Sequence, residues 1–371
     1  MFCTCNMADG DIFVYLGGAQ VVPDEITHAI IDPSVKIVRA GAFNYRRQLV
    51  SLIFHDGVEI VESGAFNGCN SLPRIKLVGV REIGSLAFHC CYDLTDAEFG
   101  DKLETIGRCA FYFCNSLTLL KLLGVREIGE GAFESCHALT DVEFGDRLET
   151  IKHAAFRNCR SLRSIKIPTV RTVQAWAFDN CEQLKDVEFG VNLERIGLKS
   201  FLNCSNLQRV AIPLKGDLFP FDPHDHRYNQ FEGCENLTSV DLVGADGINS
   251  TISSFLMESW KDEMNQEITR INLELPSTHV NRKTGSIRRW IRHIIDRFDH
   301  YKAEHNRLLK EHMTLLELVI WKAKLEEKDD FSERVQTKRA KINEESTREE
   351  KRITSGADTI IKNVLPFLNL L

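Results

Sequence analysis

The sequence predicts an α/β-type repeat solenoid with one parallel strand in each coil of 22 or 23 residues, followed by an all-helical C-terminal region. Two observations carry this prediction. A short pattern, Ala-Phe-x-x-Cys, recurs at nearly constant spacing from residue 43 to residue 234. After it stops, apolar residues recur at the spacing of a helix.

The phenylalanine is the most constant member of the pattern. Eight occurrences are separated alternately by 23 and 22 residues, and a ninth follows after 30. A leucine stands six residues after each one, and a valine or isoleucine stands five residues before each of the first eight. These core phenylalanines are Phe43, Phe66, Phe88, Phe111, Phe133, Phe156, Phe178, Phe201 and Phe231.

Each leucine begins a short run in which apolar and polar residues alternate, as in Leu139-Thr-Asp-Val-Glu-Phe144. Such alternation indicates a strand with one buried face. One strand in each coil cannot bury a core by itself, so the coils must stack. Because the same register extends upstream to Ile26 and Ile31, we predict ten strands between residue 26 and about residue 242.

The repeat has a recognisable consensus. Residues 161–168 read Ser-Leu-Arg-Ser-Ile-Lys-Ile-Pro, and residues 127–136 read Glu-Ile-Gly-Glu-Gly-Ala-Phe-Glu-Ser-Cys. This consensus resembles the BspA-type leucine-rich repeat over residues 26 to about 242. The resemblance implies a leucine-rich-repeat solenoid but no activity, since such repeats occur both in surface adhesins and in intracellular proteins. The C-terminal part is similar to tails on repeat proteins of single-celled algae.

Length and charge narrow the classes of function. The chain has 371 residues, 43% of them hydrophobic, and a formal net charge of −7. This charge does not favour a nucleic-acid partner. No uncharged apolar stretch is long enough for a spanning helix, so no membrane partner is expected. The first basic residue is Lys36, which is unlike an export signal and predicts a cytoplasmic protein, with the nucleus as the alternative.

We divide the chain into four segments by these patterns. They are an N-terminal cap segment (1–25), the repeat solenoid (26–246), a helical cap with a heptad helix (247–328), and a charged segment with an apolar C-terminus (329–371). The heptad helix is expected to pack against the chain's other helices or to self-associate. Its seam histidines, His305 and His312, are interpreted as polar core residues, with a pH switch as the alternative.

The twelve cysteines include a regular set of eight, three residues after the core phenylalanines from Phe66 onward. A redox or metal ladder is one interpretation of this set. Small buried thiols that fill a turn are the interpretation we favour, because free cysteine is among the most buried residue types. Reduced thiols also agree with an intracellular protein.

The outward positions of the strands, on the expected concave face, carry basic and acidic residues in alternating strands. One interpretation is a binding surface for a partner of mixed charge. The other, which we favour, is a set of self-neutralising stripes that fix the order of the coils. The candidate partner-binding residues on this face are Arg74, Lys76, Asp96, Glu98, Leu119, Lys121, Asp141, Glu143, Lys166, Asp186 and Glu188.

The longer interval before Phe231 contains an insertion loop. Phe219, Phe221 and Tyr228 are expected to be exposed there and to contact a partner, because insertions on one coil often carry binding. The neighbouring Asp222, His224, Asp225 and His226 could suggest a metal. We interpret them as ordinary polar loop residues, so no metal or cofactor is expected.

No G-x-S-x-G, P-loop, H-E-x-x-H or G-x-G-x-x-G motif occurs, so we do not expect an enzyme. The leading hypothesis is a non-catalytic scaffold that binds a protein partner through the repeat surface and the C-terminal helix. The alternative is a cell-surface or glycan-binding adhesin, which glycosylation at Asn236 or Asn249 would favour.

Overall fold

The computed structural model describes residues 12–219, 229–244 and 254–337, with side chains for 259–324 of the last range. The chain falls into two compact units, residues 1–305 and residues 306–371. The first unit holds a parallel-strand solenoid, helix α1 (Ser254–Glu274) and the beginning of helix α2 (Lys283–Thr337). The rest of α2 belongs to the second unit. The predicted fold class is confirmed.

A long-strand series runs along one side of the solenoid. Its members pair in parallel within three hydrogen-bonded sheets, which break after β4 and after β12. They are β1 (Phe13–Tyr15), β2 (His28–Ile31), β4 (Ser51–Ile53), β6 (Arg74–Leu77), β8 (Asp96–Phe99), β10 (Leu119–Leu122), β12 (Asp141–Phe144), β14 (Ser164–Ile167), β16 (Asp186–Phe189), β18 (Arg209–Pro213) and β19 (Ser239–Val243).

A short-strand series forms around the valine or isoleucine that stands five residues before each of the first eight core phenylalanines. Its eight two-residue strands form one continuous parallel sheet. They are β3 (Ile37–Val38), β5 (Ile60–Val61), β7 (Glu82–Ile83), β9 (Thr105–Ile106), β11 (Glu127–Ile128), β13 (Thr150–Ile151), β15 (Thr172–Val173) and β17 (Arg195–Ile196). The sequence predicted the buried side chains of this series but not its strands.

The core between the two series is a column of stacked aromatic rings. Neighbouring core phenylalanines have ring centroids 4.9 to 5.6 Å apart and planes within 19° of each other. Each of these rings is fully buried. A second set of rings recurs every 45 residues and meets the column edge-on: Phe54, Phe99, Phe144 and Phe189.

The eight regularly spaced thiols stabilise the stack of coils. Each one is buried and donates to the backbone carbonyl of the core phenylalanine in the preceding coil, at 3.1 to 3.3 Å. Burial raises the pKa of the first of them, Cys69, to about 12. These thiols are therefore structural, as the favoured interpretation predicted.

The first end of the solenoid is closed by a side chain. Segment 1–25, expected only as a cap, contains the strand β1, which adds an eleventh member to the ten long strands predicted between residues 26 and 242. The Gln20 amide donates to Val14 O (3.1 Å), and its oxygen accepts from Leu16 N (2.6 Å). Tyr15 O instead accepts from Asp32 N, on the β2 side. Gln20 therefore occupies the outer edge of β1, where an unpaired strand would invite another chain.

The last coil is closed by the helical region. Phe231 N donates to the Thr284 hydroxyl (3.1 Å), and Val240 N donates to the Asn272 side-chain oxygen (2.8 Å). The Lys283 ammonium, only 2% exposed, donates to the carbonyls of Cys234, Glu235 and Leu237 at 2.7 to 3.2 Å. Burial lowers the pKa of this lysine. The helices thus cap the last coil of the solenoid.

Helices α1 and α2 pack against each other in the first unit. Trp260 lies against Phe298 and Tyr301, with ring centroids 5.3 and 5.7 Å apart. The indole N–H of Trp290 donates to Glu267 O at 3.0 Å. The seam residues from Ile287 to Tyr301 thus have a packing partner within the chain. Of the two seam histidines, His305 is half-buried and His312 is exposed, so His312 is not a core residue within this chain.

Candidate interaction surfaces

The outward positions of the long strands form the striped face, which we define by the eleven candidate residues predicted on β6 to β16. Residues from Arg74 to Lys166 in this set are exposed, and Asp186 and Glu188 are half-buried. Strand pairing aligns basic Arg74 and Lys76 with acidic Asp96 and Glu98. The structure therefore brings all eleven predicted residues onto one face.

The charges of the striped face pair with one another. Lys76 contacts Glu98 at 3.0 Å, Lys121 contacts Glu143 at 3.4 Å, and Lys166 contacts Glu188 at 3.1 Å. Each exposed pair stabilises the fold by at most about 1 kcal/mol. The self-neutralising interpretation explains these contacts. A face whose charges cancel also offers little electrostatic steering to a charged partner.

A second column of alternating charge lies immediately before the short strands, and the sequence analysis missed it. Arg126 pairs with Glu149 at 3.0 Å, and Arg171 pairs with Glu194 at 2.5 Å. The signal was available, since the residue before each short strand alternates in sign. The column consists of Lys36, Glu59, Arg81, Glu104, Arg126, Glu149, Arg171 and Glu194.

This second column borders an open groove of about 650 Å³. Besides members of the column, Asp146, Arg147, Thr169, Asn192 and Lys215 line it. The lining holds four acidic and four basic side chains, so the groove has no net formal charge that would favour an anion or a cation.

The turn after each core phenylalanine contains a left-handed residue. We call the residues two positions after the nine core phenylalanines the turn column. All nine have φ between 55° and 75°. The members are Tyr45, Gly68, Cys90, Phe113, Ser135, Asn158, Asn180, Asn203 and Gly233. In the later coils, asparagine side chains bond to one another, from Asn203 to Asn180 (3.0 Å) and from Asn180 to Asn158 (3.1 Å).

The early part of the turn column carries aromatic residues. His89 and Tyr112 stack with centroids 5.3 Å apart, and Tyr112 meets Phe113 edge-on at 4.4 Å. The Arg47 guanidinium lies over the ring of Tyr45, which is 56% exposed. We define the aromatic patch as Tyr45, Arg47, His89, Tyr92, Tyr112 and Phe113.

Electrostatics and hydrogen bonds connect the members of the aromatic patch. A hydrogen bond with the half-exposed Cys90 thiol raises the pKa of Tyr92, and the nearby charge of Arg47 lowers it in part. Burial lowers the pKa of His89, whose Nδ1 is 3.0 Å from Asn67 Oδ1. Because a lowered pKa keeps this imidazole uncharged at neutral pH, the stacked rings form a neutral, largely apolar surface.

A buried carboxylate lies further along the turns. Asp179 is 1% exposed and accepts from Arg157 Nε at 2.9 Å, while its other oxygen has no partner among the described residues. Burial raises the pKa of Asp179 despite the neighbouring Arg157 and Lys199 cations. These two cations also flank the ring of Trp176, at 5.6 and 5.2 Å. Both oxygens of Asp179 are enclosed, so we interpret it as a structural ion pair.

The expectation that Phe219 is exposed is wrong. It is 4% exposed and meets Phe231 edge-on, with centroids 6.0 Å apart. Phe219 stands 12 residues before a core phenylalanine, as Phe54 and Phe99 do, and that spacing would have placed it in the core. The other predicted loop residues, Phe221 and Tyr228, lie outside the described residues, as do Asp222, His224, Asp225 and His226.

The part of the chain that the structure describes contains no group of three or more His, Cys, Asp or Glu side chains placed to hold a metal. Over the same residues, neither helix combines the length and the apolar character needed to cross a bilayer.

Comparison with known families decides the assignment of the repeat. The profile described as a BspA type leucine rich repeat region, in six copies, matches residues 36–159 and 126–242, which together exceed half of the chain. The chain belongs to this family. The resemblance seen in the sequence is thereby confirmed, and the chain is a leucine-rich-repeat protein. A search of curated proteins gave no match.

Solved structures of leucine-rich-repeat proteins are similar to parts of this chain. A T. pallidum leucine-rich-repeat protein is 36% identical, covering 40% of this chain and 72% of that one, with a TM-score of 0.38. A Bacteroides ovatus leucine-rich-repeat protein is 25% identical, covering 50% and 64%, with a TM-score of 0.33. A leucine-rich cell-surface protein of Faecalibacterium prausnitzii is 24% identical, covering 59% and 60%, with a TM-score of 0.32. The chain thus spans less than two thirds of the last two.

Proposed function

We propose that this BspA-type repeat protein is a non-catalytic scaffold that binds a protein partner through the aromatic patch. The observation that supports the proposal is the pair of aromatic side chains at left-handed positions, Tyr45 and Phe113, in a patch with the stacked rings of His89 and Tyr112. A left-handed conformation costs an L-residue roughly 1–2 kcal/mol, and glycine and asparagine tolerate it best. Later coils use asparagine or glycine at four of the five remaining turns after Phe113.

Stability alone therefore does not account for the aromatic residues. An asparagine at these turns would relieve the backbone cost and could extend the side-chain hydrogen bonds from Asn158 to Asn203. Strained residues that persist at a surface are typical of binding sites. Tyrosine and arginine are also enriched among the residues that dominate binding energy at protein interfaces.

The kind of partner follows from the surface. The aromatic patch has one cationic side chain, Arg47, among neutral rings, so its partner should present apolar and aromatic groups with an acidic residue at the rim. We propose a cytoplasmic location, which the buried free thiols support. A cell-surface role is the alternative, and N-glycan on Asn236 of the native protein would favour it.

The double variant Tyr45→Asn/Phe113→Asn tests the proposal. We expect its thermal stability to equal or exceed that of the wild type, because asparagine tolerates the left-handed backbone. Affinity purification from the native cells, followed by mass spectrometry, should recover a partner with the wild type and lose it with the variant. Titration of that purified partner should then show affinity reduced by at least about tenfold.

The control is Asn158→Ala/Asn203→Ala, which removes side-chain hydrogen bonds of the turn column and leaves the aromatic patch intact. It should lower stability and keep the partner. If Tyr45→Asn/Phe113→Asn folds normally and retains every partner, the aromatic patch is not the binding surface.

A further inference from the structure

Helix α1 covers only the first part of helix α2. The two helices run antiparallel, because Glu263 pairs with Tyr301 (2.6 Å) while Glu267 O accepts from Trp290 (3.0 Å). Helix α1 begins at Ser254, six residues before Trp260. At 1.5 Å per residue this is only about 9 Å, so the first residue of α1 lies level with the last residues of α2 that belong to the first unit.

Beyond that point α2 exposes apolar side chains. Leu315, Leu318, Val319 and Trp321 are 57%, 60%, 66% and 67% exposed. Between residues 313 and 321, only Thr314 and Glu317 are polar. At 100° per residue the apolar side chains lie on almost every side of the helix. A helix with this distribution is stable in water only when other chains or elements cover it.

We propose that the segment 308–321 of a second copy of this chain covers it, giving a homo-oligomer joined through α2. The heptad seam of the first unit continues into this segment as Leu308, His312, Leu315 and Val319, at spacings of four, three and four, so that His312 is its polar member. Leucine at one seam position with a β-branched residue at the other is typical of helices that pair along their length. A second copy supplies the same seam, as a symmetric interface requires.

The exposed area is sufficient for such an interface. Four large side chains, each more than half exposed, leave a patch of the few hundred Å² that marks an interaction site on a soluble protein. Two copies facing each other would bury on the order of 1,000 Å², the size at which a specific interface becomes stable. Leu309 and Leu316, beside the seam and half-buried, widen the contact and suit more than one partner helix.

Sedimentation equilibrium of the full chain over a wide concentration range tests the proposal. We expect the mass to approach an integer multiple of the chain mass as the concentration rises. In Leu315→Lys/Val319→Glu two charges enter the seam, and the dissociation constant should rise by at least about tenfold. Co-purification of two differently tagged copies should succeed with the wild type and fail with this variant.

Two controls separate self-association from other causes. Lys310→Glu/Glu317→Lys changes exposed positions opposite the seam without altering net charge, and it should associate as the wild type does. The variant Leu315→Lys/Val319→Glu should keep the wild-type thermal melt of the solenoid, because both side chains are exposed. It should also keep any partner bound at the aromatic patch, so the two proposals can fail independently.

Any of the following results would overturn the inference. The wild type could be monomeric at every concentration, or the Leu315→Lys/Val319→Glu variant could associate unchanged. Alternatively, the wild type could be monomeric and a chain lacking residues 338–371 could associate, which would mean that this chain's own C-terminal segment covers the helix. Recruitment of the monomer to phosphatidylcholine vesicles, lost in Leu315→Lys/Val319→Glu, would also contradict it.

Discussion

The hydroxyl of Thr284 accepts a hydrogen bond from the backbone N–H of Phe231, at 3.1 Å. In earlier coils the equivalent N–H donates to a backbone carbonyl of the next coil, as Phe133 N does to Ala155 O at 2.8 Å. The side chain of Thr284 therefore takes the place of the carbonyl acceptor that the next coil supplies elsewhere in the solenoid. Repeat arrays need such a cap, because the last coil otherwise exposes its core and its unpaired backbone groups.

Removal of residues 247–371 should expose the last coil and cause aggregation. The truncated chain would lose Asn272, Lys283 and Thr284, and the buried Phe231 and Leu237 would face water. Removal of residues 329–371 alone should be tolerated. Gel filtration of both truncated chains decides this. A monomeric, fully folded fragment 1–246 would show that the helical region is a separate module.

Lys283→Met should reduce the free energy of unfolding by at least about 1–3 kcal/mol, the cost of one buried carbonyl left without a donor. The Lys283 ammonium serves three such carbonyls. Urea denaturation followed by circular dichroism measures the loss. Lys302→Met is the matched control, since Lys302 is exposed, and its loss should be within about 0.5 kcal/mol. Equal losses for the two variants would refute the capping role of Lys283.

Phe133→Ala should reduce the free energy of unfolding by about 3–5 kcal/mol through a buried cavity. Phe133 is fully buried and stacks with Phe111 and Phe156, at centroid distances of 5.3 and 5.2 Å. Thermal melts of Phe133→Ala measure this loss. Leu119→Ala is the control, because Leu119 lies on the striped face and is 48% exposed. A negligible loss in Phe133→Ala would mean that the ring column does not determine stability.

Thiol counting should distinguish buried from accessible cysteines. In denaturant, nearly all twelve thiols should react with Ellman's reagent at once. In the native protein the eight regularly spaced thiols should react slowly. Burial raises the pKa of thiols such as Cys69 and Cys114, and a raised pKa lowers the fraction of reactive thiolate. Several native disulfides among these eight positions would overturn the structural role and support a secreted protein.

The stability of the wild type relative to Asp179→Asn should rise as the pH falls from neutral toward 4. Burial holds the pKa of Asp179 above its ordinary value of 3.8, so the native state takes up this proton before the unfolded chain does. Protonation of Asp179 therefore adds to the stability of the folded protein. This added stability is fully present below pH 3.8, the ordinary pKa, and is lost as the pH rises through the raised pKa of the folded state. Urea denaturation of both proteins at several pH values gives the difference. A difference that does not change with pH would contradict the raised pKa.

Much of this architecture was predictable because a strict spacing has few structural solutions. A phenylalanine every 22 or 23 residues, with a leucine six residues later, requires stacked coils to bury both. The charged stripes were predictable for the same reason, since parallel strands in register place Lys76 beside Glu98. The nearby prolines indicate a loop at Phe219, whereas its position 12 residues before Phe231 indicates a buried ring. The repeat spacing, and not the local loop signal, agrees with the structure.

The aromatic patch could not be predicted by the same reasoning. Its members are separated by up to 68 residues in the chain, and they share a surface only because successive turns superimpose. The left-handed backbone at Tyr45 and Phe113 has no local sequence signal, because aromatic residues do not favour that conformation; only the glycines and asparagines at the same position of other coils indicate it.

The repeat by itself determined the coil length, the buried positions and the sign of each stripe, because these depend on periodicity and on the two-residue alternation of a strand. Only the tertiary structure decided how the solenoid ends. Gln20 satisfies the outer edge of β1, and Lys283 and Thr284 satisfy the last coil. Each of these contacts joins a backbone group to a side chain outside the repeat, where no period applies. Backbone groups at either end of a stack of coils need hydrogen-bond partners, and only the packed fold selects which side chain supplies them.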